Sequence, residues 1–291
     1  MKLYCIIRKQ DDISNSDTYA LLKKAADARG VEFIPIESDN FDYVRGLSVL
    51  ETNAIMYRMG RGDRAALLQV LMASKGIIGL FKNVDALLSR NFSWGSAIRM
   101  EQAGLPIIPT IFNISKNEDS RLKEYVEELG GFPIIVKSSG GSHGEGVMKI
   151  DSISSLRSVV GFISDTQSAT FVLRKFVNSA RHLRLVVVGN KVVDTIEYDT
   201  QSDDFRTNAV AVPTVVDRND VNNDIKQIAI KAVAALDLEF GGVDVLIDES
   251  GTAYVAEVNF PCNFARNQMN TGTDVAGQLV DYLVEKARII A

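Results

Sequence analysis

The stretch GGVDVLIDESGTAYVAEVNF, residues 241–260, is apolar for most of its length yet carries Asp244, Glu257 and Asn259 within it. Alternating β-branched residues on either side of DESG predict two strands joined by a tight turn through Asp248–Gly251. With Ile247 opposite Thr252, Asp244 falls opposite Val255, and the two-residue period of a strand sets Asp244, Glu257 and Asn259 on one face. Val243, Val245, Ile247, Tyr254, Ala256 and Val258 then form the packing face. A slip of one residue would split the trio. Two carboxylates and a neutral oxygen suit Mg²⁺, with Mn²⁺ as an alternative, since such an ion takes its remaining ligands from water and phosphate. On a solvated edge strand the same acids would only keep that face wet.

The rest of the chain bounds the choice. Its 291 residues can bury a substantial core in one large domain or two to three small ones. The 46% hydrophobic and 24% charged residues are ordinary for a globular protein, and a net charge of −5 gives no basic face for nucleic acid. Cys5 and Cys262 stand far apart without a pairing pattern, as free thiols in a reducing compartment would. MKLYCIIRKQ is too short in its apolar run for a signal peptide, and no stretch has the ~20 apolar residues needed to span a bilayer. The expectation is a cytoplasmic protein with no membrane or nucleic-acid partner.

Alternation organises the first 90 residues. KLYCII, VEFIPI, AIMYR and a segment near GIIGLF read as strands. Between them SDTYALLKKAADARG, with Ser16 as cap and Gly30 as stop, and DRAALLQVLMAS read as helices, which predicts a small α/β unit. SWGSAIRMEQAGLPIIPT is a helix closed by Gly104, and DSRLKEYVEELGG is another before the strand FPIIVK. Further on, RLVVVGNKVVDTIEY reads as a hairpin turning at Gly189–Asn190, and NNDIKQIAIKAVAALDL and DVAGQLVDYLVEKA as helices.

IIVKSSGGSHGEGVMKI sets Gly140, Gly141, Gly144 and Gly146 between two strands, where backbone N–H groups can cradle phosphate oxygens. It is neither a Walker loop nor a Rossmann fingerprint, since GK[ST] and a following helix are both missing. One reading is a hairpin lid over a triphosphate with Lys137 reaching in; the other is an ordinary flexible hairpin. In DDFRTN an extended backbone puts Arg206 and Asn208 on one side, able to meet carboxylate or phosphate. Arg184, alone in a strand-like run, reads as a surface arginine.

Taken in order, GFPIIVKSSGGSHGEGV, FVLRKFV, HLRLVVVG, DFRTN, GGVDVLI, AEVN and TGTDVAG resemble the successive landmarks of the RimK-type ATP-grasp ligases, from about residue 83 to the end. The resemblance implies an ATP-grasp fold, α/β overall and α+β in its C-terminal half. It would comprise an N-terminal α/β domain over 1–90, a linker helix and central lid over 91–174, and a C-terminal domain over 175–291, with ATP held between the last two. By matched position, Lys137 would contact phosphates under a loop of Gly140, Gly141, Ser142, Gly144 and Gly146. Arg174, Lys175, Phe176 and Val177 would line adenine, and His182 and Arg184 would lie on the nucleotide side. Asp244, Glu257 and Asn259 would hold Mg²⁺, while Arg206 and Asn208 would face the reacting carboxylate and γ-phosphate.

The family activates a carboxylate as an acylphosphate that an amine then attacks. The implied substrates are ATP, an amino acid and a carboxylate-bearing small molecule, peptide or protein, and a homo-oligomer would be usual. Four departures stand out: Ser93 in NFSWG where a lysine is usual, Arg174–Lys175 at the adenine hinge, His182 in place of an acid, and AVAVP after RTN. They keep open a second expectation, a degenerate relative that binds nucleotide or a partner without turnover. Cys262 has no base near it in the sequence and reads as a small packing residue.

Overall fold

The structure is a computed structural model that describes residues 1–9, 16–60, 62–88, 94–112, 121–138, 146–166, 171–199, 213–215 and 220–290. Strands β1 (Lys2–Ile7), β2 (Glu32–Glu37) and β3 (Ile55–Arg58) form a parallel sheet in the order β2-β1-β3. The helix Asp17–Asp27 starts at Ser16, whose hydroxyl accepts from the Tyr19 amide at 3.3 Å, and it buries Leu22, Ala25 and Ala26. Gly30 ends the turn at φ +65°, where a side chain would be strained.

The strand expected near GIIGLF does not join this sheet as a fourth member; it makes isolated bridges, Ile55 with Ile78 and Phe81 with Leu238. Its hydrogen bonds are divided between two bodies. The Ile78 amide donates to Ala54 O, whereas Leu80 O accepts from Glu239 and the Lys82 amide donates to Asp237 O. Lys286 adds donors to the carbonyls of Gly79 and Phe81, which draws the segment away from a ladder.

The second sheet is antiparallel, in the order β10-β9-β8-β11-β12. Its strands are β8 (Ser179–Val188), β9 (Lys191–Tyr198), β10 (Pro213–Val215), β11 (Phe240–Asp248) and β12 (Ala253–Asn259). The helix Asn223–Ala235 lies on it, and the helix Val275–Ile290 packs between it and the first sheet. One apolar core therefore runs through both bodies, from Leu3 and Ile6 to Phe240, Phe264 and Leu283. At the seam the Phe264 ring lies 6.3 Å from both Tyr57 and Phe240, and the Tyr57 hydroxyl donates to Cys262 O at 3.2 Å.

The third sheet, in the order β4-β7-β5-β6, uses β4 (Thr110–Ile111), β5 (Ile134–Ser138), β6 (Val147–Ile150) and β7 (Phe171–Lys175). The helices Leu122–Glu128 and Ile153–Thr166 enclose a separate core of Leu122, Val126, Ile134, Val136, Leu156 and Leu173. The second helix was not foreseen from the sequence. Cross-strand partners share a face, so Thr110, Ile135, Lys137, Lys149, Val172 and Arg174 line the side away from this core. Helices cover one side and cations gather on the other.

If the two bodies share a core, Phe264→Ala should cost about 3–5 kcal/mol, read as a lower urea midpoint of the whole chain with unchanged slope. A shift no larger than that of a surface substitution would show that the seam is not a true core.

Candidate active site

The hairpin of β11 and β12 does place Asp244, Glu257 and Asn259 on one face, but by a different register from the one expected. Asp248 Oδ1 accepts from the amides of Ser250 and Thr252, which lengthens the turn, and Ile247 pairs with Ala253 rather than Thr252. Continued regularly, that register would set Glu257 opposite Val243, on the core face. The ladder instead passes from Val245 opposite Val255 to Asp244 opposite Glu257, leaving Ala256 as a bulge. The longer turn and the bulge together correct two further expectations. Asp244 lies opposite Glu257 rather than Val255, and Tyr254 pairs with Leu246 on the Asp244 side while Val255 takes the core side.

Across the sheet the face is built in rows. Ile196, Arg184, Asp244 and Glu257 form the middle row, Tyr198, His182, Leu246 and Tyr254 the row on one side, and Val186, Gly242 and Asn259 stand on the other. Asp244 is 0% exposed. Arg184 donates to both of its oxygens, at 2.7 and 2.6 Å, and His182 Nε2 lies 3.7 Å away. Burial alone would raise the Asp244 pKa, yet the Arg184 guanidinium, aided by His182, holds it well below the usual carboxylate range. Arg184 is pushed above its ordinary value despite burial by the same pairing. Arg184, expected on the nucleotide side or at the surface, is thus the counter-ion of Asp244.

Glu257 is the half-buried member of the pair. Lys137 Nζ reaches its Oε2 from the third sheet at 3.5 Å. Asn259 Nδ2 donates to Asp244 Oδ2 at 3.2 Å and to Glu257 Oε1 at 3.0 Å, so an amide nitrogen bridges the two carboxylates where a cation could. A carboxylate offers about four lone-pair sites; Arg184 takes two of those on Asp244, and Asn259 Nδ2 occupies another that a cation could take in its place. Rotation of the Asn259 amide by half a turn would bring its oxygen inward. The donor set therefore fits a hard divalent cation.

Arg174 points neither outward nor at open space. Its Nε donates to Thr110 Oγ1 at 3.0 Å and its Nη1 to Ala256 O at 3.2 Å. Lys175 Nζ stands 5.8 Å over the Tyr254 ring, Lys149 Nζ 4.4 Å over Phe176, and Val177 is buried. Residues 174–177 thus occupy the junction of the second and third sheets. Gly146 opens β6 with φ +76°, and its carbonyl accepts from the Ser138 amide. Gly140, Gly141, Ser142, His143, Gly144, Ser93, Arg206 and Asn208 lie outside the described residues.

Two features of this face escaped the sequence reading. Lys149 pairs with Ile135 and so shares the face of Lys137 and Arg174, which the alternation in VMKI opposite IIVK could have indicated. The Ala256 bulge has no local signature. Cys262 is buried, and a methyl group on Gly242 would come within 2.4 Å of its sulfur, as expected of a packing residue.

A profile of the RimK-like ATP-grasp domain matches residues 91–283, more than half of the chain. A probable alpha-L-glutamate ligase of Cellvibrio japonicus is 30% identical over 191 residues, covering 64% of this chain and 60% of that protein. A ribosomal protein bS6--L-glutamate ligase of Escherichia fergusonii is 29% identical over 171 residues, covering 56% and 54%. The chain thus spans little more than half the length of these curated relatives. In three dimensions it superposes on the ATP-grasp ligase PsnB, solved with minimal precursor, Mg and ADP, with a TM-score of 0.74 at 15% identity over 98% of this chain and 97% of that one. It also superposes on D-alanine--D-alanine ligase from Bacillus anthracis, solved with ATP, with a TM-score of 0.74 at 18% identity over 100% and 98%. On the strength of the profile match and the shared fold, the chain belongs to the RimK-like ATP-grasp family.

Proposed function

We propose that the protein is an ATP- and Mg²⁺-dependent carboxylate–amine ligase that joins an amino acid to a peptide, a protein or another amino acid through an acylphosphate. The observation that carries this reading is the meeting of Lys137 from the third sheet with Glu257 beside Asp244 and Asn259. Phosphoryl transfer asks for positioning and charge neutralisation more than for covalent chemistry by the protein. A lysine facing an acidic pair across a junction supplies both signs of charge for a magnesium triphosphate.

In this reading Asp244, Glu257 and Asn259 hold Mg²⁺, which when bound would neutralise phosphate charge. Arg184 keeps Asp244 ionised and oriented. Lys137 exchanges Glu257 for nucleotide phosphates, under a loop that includes Gly140, Gly141, Ser142, Gly144 and Gly146. The segment Lys175–Val177 flanks the base, and Arg206 with Asn208 faces the reacting carboxylate. The division at 1–90, 91–174 and 175–291 belongs to the same proposal. The names of the curated relatives favour glutamate as the amino acid that is joined. Their partial coverage leaves the acceptor to experiment. The rival reading, nucleotide or partner binding without turnover, draws on the hold of Arg184 on both Asp244 oxygens. Phosphate release from ATP and Mg²⁺, over a panel of amino acids and peptides, decides between them: release above background with one acceptor supports the ligase, and none with any supports the binder.

The two acids should differ on mutation. Asp244→Ala strands the mostly buried Arg184 and should cost about 3 kcal/mol of stability, read in urea, in addition to abolishing turnover. Glu257→Ala should abolish turnover while leaving the urea midpoint near that of the wild type. Equal stability losses would contradict the described burial.

Arg206→Ala should lower the rate by about a hundredfold, the scale of losing one preorganised donor at the reacting centre, with a smaller effect on ATP binding. Normal single-turnover chemistry with weakened nucleotide binding would make Arg206 a ground-state anchor instead.

A further inference from the structure

Among the described residues β12 is the outer strand of its sheet, so one edge of its backbone pairs with no full neighbouring strand there. The segment 106–111 covers that edge. The Val255 amide donates to Pro106 O at 2.8 Å, and a few residues later Thr110 and Ile111 pair with β7 of the third sheet. Arg174, the partner of Thr110 in that ladder, reaches back with Nε on Thr110 Oγ1 and Nη1 on Ala256 O. Ala256 is the residue that the ladder skips between Val255 and Glu257.

That contact falls on the feature that creates the acidic pair. Without the bulge, Glu257 would sit opposite Val243 and point into the core. A bulge gives up ladder bonding, and its carbonyl needs another donor to remain satisfied. Here the donor is a guanidinium, whose hydrogen bonds are stronger than neutral ones and whose planar fork can serve two acceptors on two bodies at once. A lysine could not serve both with one fixed geometry. Burial draws the Arg174 pKa down, the Glu257 charge opposes this, and an arginine stays cationic regardless.

We propose that Arg174 is a positioning residue: from the third sheet it clamps the Ala256 bulge and so keeps Glu257 facing Asp244, tying the seating of the lid to the geometry of the acidic pair. The proposal rests on reading Asp244 and Glu257 as cation ligands. It assigns Arg174 a role other than contact with a nucleotide base.

The test is amide hydrogen exchange across residues 253–259, together with Mn²⁺ titration by electron paramagnetic resonance, on the full chain. Arg174→Met should speed exchange in this segment and weaken Mn²⁺ binding by about tenfold, the scale of losing a support behind a ligand. Arg174→Lys should not restore either, and Thr110→Val should shift both in the same direction by less. Exchange and Mn²⁺ affinity at wild-type levels in Arg174→Met, with altered discrimination between ATP and GTP, would overturn the proposal in favour of base contact. Glu257→Gln separates the two layers of the reading. If Mn²⁺ binding survives that change, the metal assignment fails, and the exchange data alone judge the clamp. Should Arg174→Met fail to fold, Thr110→Val decides: unchanged exchange there overturns the clamp.

Discussion

A carboxylate with no exposed surface stays ionised only against a cation, and the Asp244–Arg184 pair meets that condition with two short hydrogen bonds. The rest of the site is arranged around it. Because Asp244 and Arg184 are direct cross-strand partners, the β8–β11 register and the charge pairing enforce each other. The adjoining row narrows to Gly242, whose missing side chain lets Cys262 close over the sheet. Glu257, one strand outward, is only half-buried, so one acid is committed to a structural partner and the other faces the junction.

The junction itself is built differently from the interior. The first two sheets share one apolar core, whereas the third has its own. Near the site the ties between the third sheet and β12 are polar: Lys137 on Glu257, and Arg174 on the Ala256 carbonyl. Displacing the third sheet at this point would break a few hydrogen bonds and an ion pair rather than expose a core, a smaller cost than separating the first two sheets would carry. The acidic pair, by contrast, is anchored in the larger body. Apolar contacts thus hold the first two sheets together, and polar ones tie the third sheet to β12.

Much of the architecture could be read directly along the chain. Ser16 and Gly30 bracket the first helix, Gly189–Asn190 turns the long hairpin, and the two-residue period assigned Asp244, Glu257 and Asn259 to a common face. These are local properties: a cap, a positive φ and a strand period each depend on a few neighbouring residues. The seven motifs from GFPIIVKSSGGSHGEGV to TGTDVAG, taken in order, also sufficed to mark the family.

Only the tertiary structure decided how that common face is reached. The carboxylate of Asp248 lengthens the turn and the Ala256 bulge restores the trio, two compensating shifts that a period cannot reveal. GIIGLF has the composition of a strand, yet its bonds are claimed by Glu239, Asp237 and Lys286 from far along the chain. Arg184 reads in the sequence as a surface arginine and Arg174 as part of an adenine hinge, yet one meets a buried carboxylate and the other a bulge carbonyl in a separate sheet. The sequence by itself determined which residues alternate, cap and turn. Register and partner choice were left to contacts between distant segments, since a hydrogen bond or an ion pair is specified by where two chains cross and not by what lies beside either residue.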